Sequence, residues 1–371
     1  MNFEPLTHFL NSLEAEVATP GLSCMVSYRH KPVYEHHTGH CDAEGLRTPD
    51  ADTLYNVYSV SKMFTCTAAM QLLAQGRFLL YEPIWKYLPE FRHMKYKNEQ
   101  GEVTDLLGDI TIENLFTMTS GLNYDLNNPL ILAVKEKTNG RCPTRETVAA
   151  LADQVLDFRP GTRWQYSLSH DVLAALIEVV SDMRLGEYMK KNIFDPLGMK
   201  DTGYHRTPDK EARMAAQYHY DGIHHKADPI PLDNEFKFGT EYESGGAGII
   251  SSVSDLMLFG EGLNSGALLS RRTMDMLRTN RLSPELLARD FTWTQHTGYG
   301  YGLGVATMID CTKGSSIGSL GEFTWHGAAG SNVWVDPDEE VTIAYTQHVL
   351  YSDMPYYMPK LRNLVYHCLG Y

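Results

Sequence analysis

The sequence of 371 residues lacks the features of a membrane protein, a secreted protein or a nucleic-acid-binding protein. Nowhere do eighteen apolar residues run together, and the first residues have neither a positive region nor an apolar run, so we expect no membrane span and no secretory signal. The 46 Asp and Glu outnumber the 32 Lys and Arg, and no basic stripe is present. Because a phosphate backbone requires clustered cations, we expect no nucleic-acid partner.

The cysteines are few and widely spaced. No C-x-x-C pair occurs among the six of them, which favours free thiols in a reducing compartment and predicts a cytoplasmic protein without a structural metal. Residues 36–42 are rich in metal-ligand types, but side chains alternate along a strand, so His36 and His40 share one face while His37 and Cys41 point away. We therefore expect no metal and no cofactor.

Motifs of two large enzyme classes are also missing. The chain has no G-x-S-x-G elbow and no Walker motif, so the sequence gives no evidence for an α/β-hydrolase or for a nucleotide-binding enzyme. Residues 298–304 are glycine-rich but lack the G-x-G-x-x-G spacing and precede a predicted strand rather than a helix. That segment is interpreted as a closely packed β-turn region.

What is present describes a globular chain, with 43% hydrophobic and 21% charged residues. Residues 208–243 are polar and have no sustained period, which predicts a long excursion over the surface or across the mouth of a cleft. Ser254 is the expected cap of the helix that follows. Elsewhere the apolar periodicity predicts helices over residues 6–17, 59–75, 111–121, 144–156, 170–181, 255–263 and 358–369, and strands over 21–28, 33–39, 323–327, 331–336 and 340–347.

Ser59 and Lys62 stand three residues apart at the start of a helical pattern. Residues i and i+3 share one face of a helix, so the lysine lies within reach of the serine hydroxyl. A serine becomes a nucleophile when a neighbouring base takes its proton, and a deprotonated lysine is such a base. Taken alone, S-x-x-K equally describes a capping serine and a solvated lysine, because the pattern occurs by chance about once in a chain of this length.

Two further motifs change that balance. The segments Ser59-Val60-Ser61-Lys62, Tyr166-Ser167-Leu168 and His326-Gly327-Ala328 occur in the order and spacing of the three motifs of serine β-lactamases and penicillin-binding proteins. Residues 112–122, 193–204 and 245–255 also resemble segments of the class C-like branch, so the resemblance covers roughly residues 20–350.

The resemblance implies an α/β (α+β) fold of two lobes with the site in the cleft between them. Residues 1–57 and 296–371 would form an antiparallel sheet flanked by the terminal helices, with His326 on its edge strand. Residues 58–295 would form an inserted, mainly helical lobe carrying Ser59, Lys62 and Tyr166.

The same resemblance implies a role for each site residue. Ser59 would be the nucleophile, and Lys62 with Tyr166 would move its proton. The backbone N–H groups of Ser59 and Ala329 would bind the oxyanion. His326 stands where many members carry a lysine, and neutral imidazole offers a hydrogen bond but no permanent cation. Leu168, Gly327 and Ala328 would contact the substrate.

Two departures from the lactamase pattern indicate which acyl compound is cleaved. Leu168 replaces an amide side chain that contacts the β-lactam amide, and leucine makes no such hydrogen bond. Ala328 replaces the usual glycine. The sequence therefore predicts an acyl-enzyme-forming carboxylic-ester hydrolase or acyltransferase acting on a small acyl substrate. The alternatives are a D-amino-acid peptidase, amidase or weak β-lactamase, and a non-catalytic acyl-binding sensor. The sequence carries no signal for the oligomeric state.

Overall fold

A computed structural model describes residues 1–314 and 316–371. The strands are β1 (Gly21–Tyr28), β2 (Lys31–Gly39), β3 (Leu54–Asn56), β4 (Lys95–Lys97), β5 (Val103–Asp105), β6 (Val155–Leu156), β7 (Gln217–Asp221), β8 (Lys226–Ile230), β9 (Ile250–Ser252), β10 (Tyr299–Tyr301), β11 (Ala306–Met308), β12 (Phe323–His326), β13 (Asn332–Asp336), β14 (Val341–Gln347) and β15 (Val349–Leu350).

The helices surround these strands. They are α1 (Glu4–Val17), α2 (Ser61–Ala74), α3 (Ile112–Phe116), α4 (Pro129–Lys137), α5 (Thr144–Ala150), α6 (Ser169–Ser181), α7 (Leu185–Met189), α8 (Asp195–Leu197), α9 (Pro208–Arg213), α10 (Val253–Asn264), α11 (Arg271–Arg278), α12 (Pro284–Arg289), α13 (Cys311–Gly314) and α14 (Met354–Leu369). No helix in the described part of the chain is long and apolar enough to cross a membrane.

The main sheet has seven strands in the order β10-β11-β12-β13-β14-β1-β2, and each neighbouring pair is antiparallel. Its strands come from both ends of the chain, as predicted. The terminal helices α1 and α14 pack together on one face, where Leu10 and Leu361 share a core with Ile343 of β14. The mixed fold, with an antiparallel sheet flanked by terminal helices, confirms the predicted fold class. The lobe boundaries at residues 57/58 and 295/296 stay a prediction.

The opposite face of the sheet is covered by α10, behind which the larger core extends to α2 and α6. The helix approaches the sheet closely at Gly260, which has no side chain. A Cβ at this position would lie 2.5 Å from Cγ2 of Thr342. In α2 every residue from Ser61 to Met70 is buried. A helix that is enclosed on all sides is held rigidly, which suits it to carry a reactive pair at its first turn.

His326 does not lie on an edge strand, because β10 and β11 continue the sheet beyond β12. These two strands were not predicted, since each has only three residues. Pairing of β12 with β11 involves only Phe323 and Thr324. Within the described residues, the half of β12 that carries His326 therefore pairs with β13 alone. Locally, His326 has the surroundings of an edge-strand residue.

The segment 208–243 contains regular structure that the sequence reasoning missed. It forms α9 and the hairpin β7–β8, and β7 pairs in parallel with β15. Each strand has only five residues, several of them polar, so no sustained apolar period marks them in the sequence. The pairing partner of β7 at residues 349–350 lies more than a hundred residues away. Residues near its end reach the site described below, where Phe236 contacts Tyr58 and Tyr124.

Several boundaries also differ from the predictions. For example, α2 begins at Ser61 rather than at Ser59, and α14 begins at Met354 rather than at Met358. The helix predicted over 111–121 ends at Phe116, and Met118 adopts a left-handed φ of 57° that stops it. The helix predicted over 144–156 ends at Ala150. The cap of α10 is Ser252 rather than Ser254, because the Ser252 side chain accepts a hydrogen bond from the Asp255 N–H.

Candidate active site

Ser59 lies in a single 3₁₀ turn, Tyr58–Val60, between β3 and α2. Pairing of β3 with β9, and the bond from the Val57 N–H to the Ile249 carbonyl (3.1 Å), fix the start of this turn. Tyr58 has a φ of 45°, an uncommon conformation for a residue with a side chain. Strained backbone conformations of this kind cluster at functional sites. Here the strained residue directly precedes Ser59.

Lys62 is completely buried one turn further on. Its Nζ lies 3.2 Å from Oγ of Ser59 and donates to the Gly246 carbonyl at 2.8 Å. The backbone around that carbonyl is held to α2 by a bond from the Thr65 hydroxyl to the Gly245 carbonyl (2.7 Å). The predicted serine–lysine pair is therefore assembled, and the lysine is not solvated.

Tyr124 is a site residue that the sequence reasoning missed. Its hydroxyl oxygen accepts a hydrogen bond from Lys62 Nζ (3.3 Å), and its ring stacks on Tyr166 with 5.4 Å between ring centres. Burial raises the pKa of Tyr124 well above its ordinary value, so it remains a neutral phenol at pH 7. Its only local signal was its place just after the Gly121 turn, which does not single out a catalytic residue.

Tyr166 lies on the loop before α6, as predicted, and its ring centre is 4.4 Å from Lys62 Nζ. Its hydroxyl accepts a hydrogen bond from Nε1 of Trp325 (3.3 Å). Among the residues that the structure describes, no hydrogen bond joins this hydroxyl to Ser59 or Lys62. The structure brings the tyrosine to the pair but directs its hydroxyl to the sheet.

A second missed residue is Asp171, which is fully buried on α6. It accepts hydrogen bonds from the Tyr242 hydroxyl (2.9 Å) and the Ser244 hydroxyl (2.7 Å). A Cβ at Gly246 would lie 2.7 Å from Asp171 Oδ2 and 3.2 Å from Lys62 Nζ, so glycine is needed for the carboxyl and the lysine to approach each other. Burial raises the pKa of Asp171, and the two hydroxyls and Lys62 oppose that rise. We call Ser59, Lys62, Tyr124, Asp171 and Gly246 the polar wall of the site.

His326 ends β12 and is 6% exposed. Burial, with a smaller effect of Lys62, lowers the pKa of His326 to about 4. The ring is therefore neutral at pH 7 and provides no positive charge for a substrate carboxylate. The Gln295 amide N–H donates to its Nε2 (3.4 Å). The Nδ1 atom has no hydrogen-bond partner in the described part of the chain.

Aromatic rings surround His326. Its ring centre lies 5.4 Å from Trp325, 6.0 Å from Trp293 and 5.0 Å from His296. Trp293 also contacts Tyr166, at 5.2 Å between ring centres. We call Trp293, His296, Trp325 and His326 the aromatic wall. Its members come from two distant segments, and no short motif marked residues 293, 296 or 325.

Gly327 places the loop after β12 directly against the Ser59 turn. A Cβ at Gly327 would lie 2.2 Å from the Val57 carbonyl oxygen, so no larger residue fits. Ala329 follows two residues later and packs with Tyr58, and the partly buried Ala328 joins the same cluster. The Ala329 carbonyl accepts from the Val349 N–H (3.1 Å), which fixes the loop. The three small residues thus lie where the sequence predicted, beside the turn that carries Ser59.

Leu168 is the predicted site residue with the least access to a ligand. It is 2% exposed and belongs to the large apolar core. Its N–H donates to the Asn123 carbonyl (3.1 Å), which turns the segment inward before α6 begins. We expected Leu168 to add apolar contact for a substrate, and the structure corrects this, because its side chain fills the core instead of the open site.

No group of three or more His, Cys, Asp or Glu side chains in residues 1–314 and 316–371 is arranged to hold a metal ion. The arrangement instead provides a serine hydroxyl, a buried amine, two phenols and a neutral imidazole. These groups can transfer a proton between a nucleophile and a leaving group without a cofactor.

Known proteins share this sequence pattern and this fold. The chain is 28% identical over 365 residues to the esterase EstB of Burkholderia gladioli, covering 90% of this chain and 87% of EstB. It is 26% identical over 329 residues to monacolin J acid methylbutanoyltransferase of Aspergillus terreus (strain NIH 2624 / FGSC A1156), covering 81% of this chain and 78% of that protein. In structure it is similar to EstCE1, a hydrolase with promiscuous acyltransferase activity, with a TM-score of 0.80, 23% identity and 97% of each chain covered.

A family model described as beta-lactamase matches residues 8–365. That range contains all three motif segments and nearly the whole fold, including most of both terminal helices. The predicted resemblance is therefore confirmed, and the protein belongs to the beta-lactamase family.

Proposed function

We propose that the protein is a carboxylic-ester hydrolase or acyltransferase that forms an acyl-enzyme on Ser59. The observation that carries the proposal is the buried amine of Lys62, 3.2 Å from the Ser59 hydroxyl oxygen. Further support comes from its similarity to an esterase and to a methylbutanoyltransferase over most of the chain. The substrate would be a small acyl compound.

In the acylation step, the Lys62 amine accepts the proton of Ser59 as the hydroxyl oxygen bonds to the substrate carbonyl carbon. The carbonyl oxygen becomes an oxyanion, to which the N–H groups of Ser59 and Ala329 donate hydrogen bonds. The proton then passes from Lys62 to the alcohol oxygen as the bond between carbonyl carbon and alcohol oxygen breaks. Tyr166 would take part in that transfer, with its hydroxyl turned from Trp325 toward the leaving oxygen.

In the second step, the oxygen of water or of another alcohol bonds to the acyl carbon and gives its proton to the lysine–tyrosine pair. The bond between the acyl carbon and Oγ of Ser59 then breaks, and the proton returns to that oxygen. Tyr124 remains protonated and holds the Lys62 amine by the 3.3 Å hydrogen bond. Asp171 would keep that amine in place from the other side. Hydrolysis and acyl transfer thus differ only in the acceptor.

Amide chemistry has less support than ester chemistry. The neutral His326 offers no cation for the carboxylate of a β-lactam or a D-peptide. An alkoxide also leaves more easily than an amine. A non-catalytic sensor is disfavoured because Ser59 and Lys62 are in contact.

The test compares p-nitrophenyl acetate with nitrocefin and with a peptide ending in D-Ala-D-Ala, using the wild-type protein and Ser59→Ala. We expect the ester to have the highest kcat/KM and to lose turnover in Ser59→Ala. Hydrolysis of nitrocefin faster than of the ester would favour the amidase alternative. Lack of turnover of all three would favour the sensor.

We also propose that the protein works in the cytoplasm. The support is that its six cysteines, five of them buried, are all free thiols. Reduced cysteines at these positions are typical of a reducing compartment. Fractionation of the native host, with detection by antibody, would test this location.

A further inference from the structure

The segment that follows β8, residues 231–238, lies against the polar wall, and we call it the strap. Asn234 Nδ2 donates a hydrogen bond to the Ala247 carbonyl (2.8 Å), and Lys237 Nζ donates to the Tyr204 carbonyl (3.2 Å). The backbone N–H of Lys237 also donates to the Asn234 carbonyl (2.9 Å), which closes a tight turn. The two residues between them are therefore held at the corners of a fixed turn.

Phe236, at the second corner, contacts residues on both sides of the serine–lysine pair. Its ring centre is 5.8 Å from that of Tyr58, the residue before Ser59. It is also 5.5 Å from the ring centre of Tyr124, whose hydroxyl accepts a hydrogen bond from Lys62. The corner of the strap is thus part of the surroundings of the nucleophile.

Glu235, at the first corner, carries a charge to the same place. Its side chain is exposed and has no hydrogen bond or ion pair within the described residues. Burial is the main cause of the raised pKa of Tyr58, Tyr124 and Tyr351, and the Glu235 carboxylate adds to the rise at each of them. Because charge–charge effects weaken with distance, this carboxylate lies at the rim of the site, close to all three phenols.

The other ionic groups near the strap are compensated or directed elsewhere. Lys62 and Asp171 approach each other inside the polar wall, so their charges offset. Arg206 pairs with Glu211 at 3.5 Å. The Lys237 amine lies at a different cavity, of about 540 Å³, which neither corner of the turn lines. The carboxylate on the strap is thus left without a compensating charge.

Partly exposed aromatic rings lie beside that carboxylate. Starting at Phe236, the rings of Tyr124, Tyr166 and Trp293 follow one another with 5.5, 5.4 and 5.2 Å between successive centres. The face of an aromatic ring attracts a cation, as Lys62 Nζ shows at 4.4 Å from the centre of the Tyr166 ring. Aromatic faces beside an unpaired carboxylate are the surroundings in which proteins recognise ammonium groups.

We propose that Glu235 determines specificity by charge, so that the site prefers esters with a positively charged group, above all a quaternary ammonium, to neutral or anionic esters of the same shape. The inference rests on the proposed function. It adds a substrate class to that function, because the carboxylate acts on the charge of the bound ester and takes no part in the proton transfers.

The test uses two pairs of esters in which a quaternary nitrogen replaces a carbon atom of the same shape. Acetylcholine and 3,3-dimethylbutyl acetate differ in the alcohol portion, whereas ethyl 4-(trimethylammonio)butanoate and ethyl 5,5-dimethylhexanoate differ in the acyl portion. The measured quantity is the ratio of kcat/KM for the cationic ester to that for its neutral partner, at pH 7. We expect a ratio of about five or more in at least one pair, the scale of an exposed ion pair.

Four variants locate the effect. Glu235→Gln keeps the shape and removes the charge, so the ratio should fall about fivefold, and Glu235→Lys should lower it further. Glu235→Asp keeps the charge and should retain most of the ratio. The chain has a net charge of −14, which itself attracts cations, so Glu14→Gln is the matched control. Glu14 is exposed on α1, which packs on the face of the sheet opposite α2, and its loss should leave the ratio unchanged.

Salt provides a second readout that a structural role of Glu235 would not affect. The wild-type ratio should decrease as the ionic strength rises from about 0.01 M to about 0.5 M, because ions screen an exposed charge. The ratio in Glu235→Gln should change less.

Three results would overturn the inference: ratios near one in both pairs, the same ratios in the wild type and Glu235→Gln, or an equal fall in Glu14→Gln. Far-UV circular dichroism establishes folding, and the comparison of Glu235→Asp with Glu235→Lys decides if Glu235→Gln does not fold. Failure of the wild type to hydrolyse all four esters and p-nitrophenyl acetate would instead refute the proposed function.

Discussion

The polar wall and the aromatic wall of the site are held by different forces. On the polar wall, Lys62 Nζ has three hydrogen-bond contacts, at 2.8, 3.2 and 3.3 Å. On the aromatic wall, Trp325 stacks on His296 and His326, and three of the four histidine ring nitrogens lack a partner in the described residues. Hydrogen bonds fix atoms to within tenths of an ångström, whereas stacked rings tolerate different neighbours.

This difference separates chemistry from specificity. A proton is transferred only between atoms at hydrogen-bonding distance, so the polar wall can change little without loss of turnover. We propose that the aromatic wall contacts the acyl compound that reacts with Ser59. Changes there are expected to alter which substrate is used and at what pH the protein is stable, while the chemical step is preserved.

The largest effect should come from Ser59→Ala, which breaks the polar wall at its nucleophile. We expect kcat to fall on the order of 10⁴-fold or more, because no other atom becomes acylated. Ser61→Ala is the matched control, since Ser61 is buried and its hydroxyl accepts the Ile249 N–H (3.0 Å). A fluorophosphonate adduct, located by fragmentation mass spectrometry, should lie on Ser59. An adduct on Ser61 would contradict the assignment.

Variants of Lys62, Tyr166 and Tyr124 should show which of these residues transfers the proton. Lys62→Ala and Tyr166→Phe should each lower kcat by about 10²-fold or more, the usual scale for a positioned proton-transfer group, with little change in substrate binding. Tyr124→Phe removes one hydrogen bond to Lys62 and should cost about tenfold. Pre-steady-state kinetics of acylation measure each effect.

If Tyr166→Phe retains near-normal kcat when acylation limits the rate, and Tyr124→Phe does not, proton transfer belongs to Tyr124. Tyr124 would then be the proton-transfer residue. Tyr166, whose hydroxyl accepts a hydrogen bond from Trp325, would only position its neighbours.

On the polar wall, the pair Ser59 and Lys62 was predictable because it is local in sequence, whereas Tyr124 and Asp171 were missed. Ser59 and Lys62 are one turn apart, and the predicted helix over 170–181 corresponds to Ser169–Ser181. Periodicity likewise gave β1 with its observed ends. Interactions between near neighbours leave a regular pattern in the sequence, which accounts for these successes.

On the aromatic wall, His326 was predicted from its motif, but Trp293, His296 and Trp325 were not, for the opposite reason. Trp293 and Trp325 meet only because the short strands β10 and β11 fold the chain back between them. Tyr124 reaches Lys62 across 62 positions of sequence. Contacts of this kind depend on tertiary packing and leave no short-range pattern, and the same holds for the pairing of β7 with β15.

On the aromatic wall, His326→Asn should change how stability depends on pH. The folded pKa of His326 is about 4, below the ordinary value of 6.5, so the folded state favours the neutral ring. Above pH 6.5 both states are neutral and the full stability is present. Between pH 6.5 and about 4 the unfolded chain binds a proton that the folded protein does not, and stability falls as pH falls.

Relative to His326→Asn, the wild-type protein should lose about 1.4 kcal/mol per pH unit in that window, up to about 3 kcal/mol. Urea unfolding of both proteins at pH 7, 6, 5 and 4 measures the difference. Subtracting the variant removes the contribution of the buried carboxyls, including Asp171, whose pKa is raised. A difference that does not change with pH would show that His326 titrates normally.

The smallest effect on substrate choice is expected from Leu168→Asn, which tests whether a residue beside the polar wall reaches the substrate at all. With only 2% of its surface exposed, Leu168 cannot offer a side chain to an amide without moving the start of α6. An asparagine there would place an amide in the apolar core and destabilise the protein by about 2 to 5 kcal/mol, the scale of lost leucine packing. The ratio of kcat/KM for p-nitrophenyl acetate to that for nitrocefin should therefore change less than about threefold, since that ratio depends on differential contact with the transition state. Leu168→Ala is the matched control, because it loses the same packing without adding an amide. A rise in nitrocefin hydrolysis in the asparagine variant alone would mean that the side chain does reach the acyl group, and that the esterase preference depends on this position.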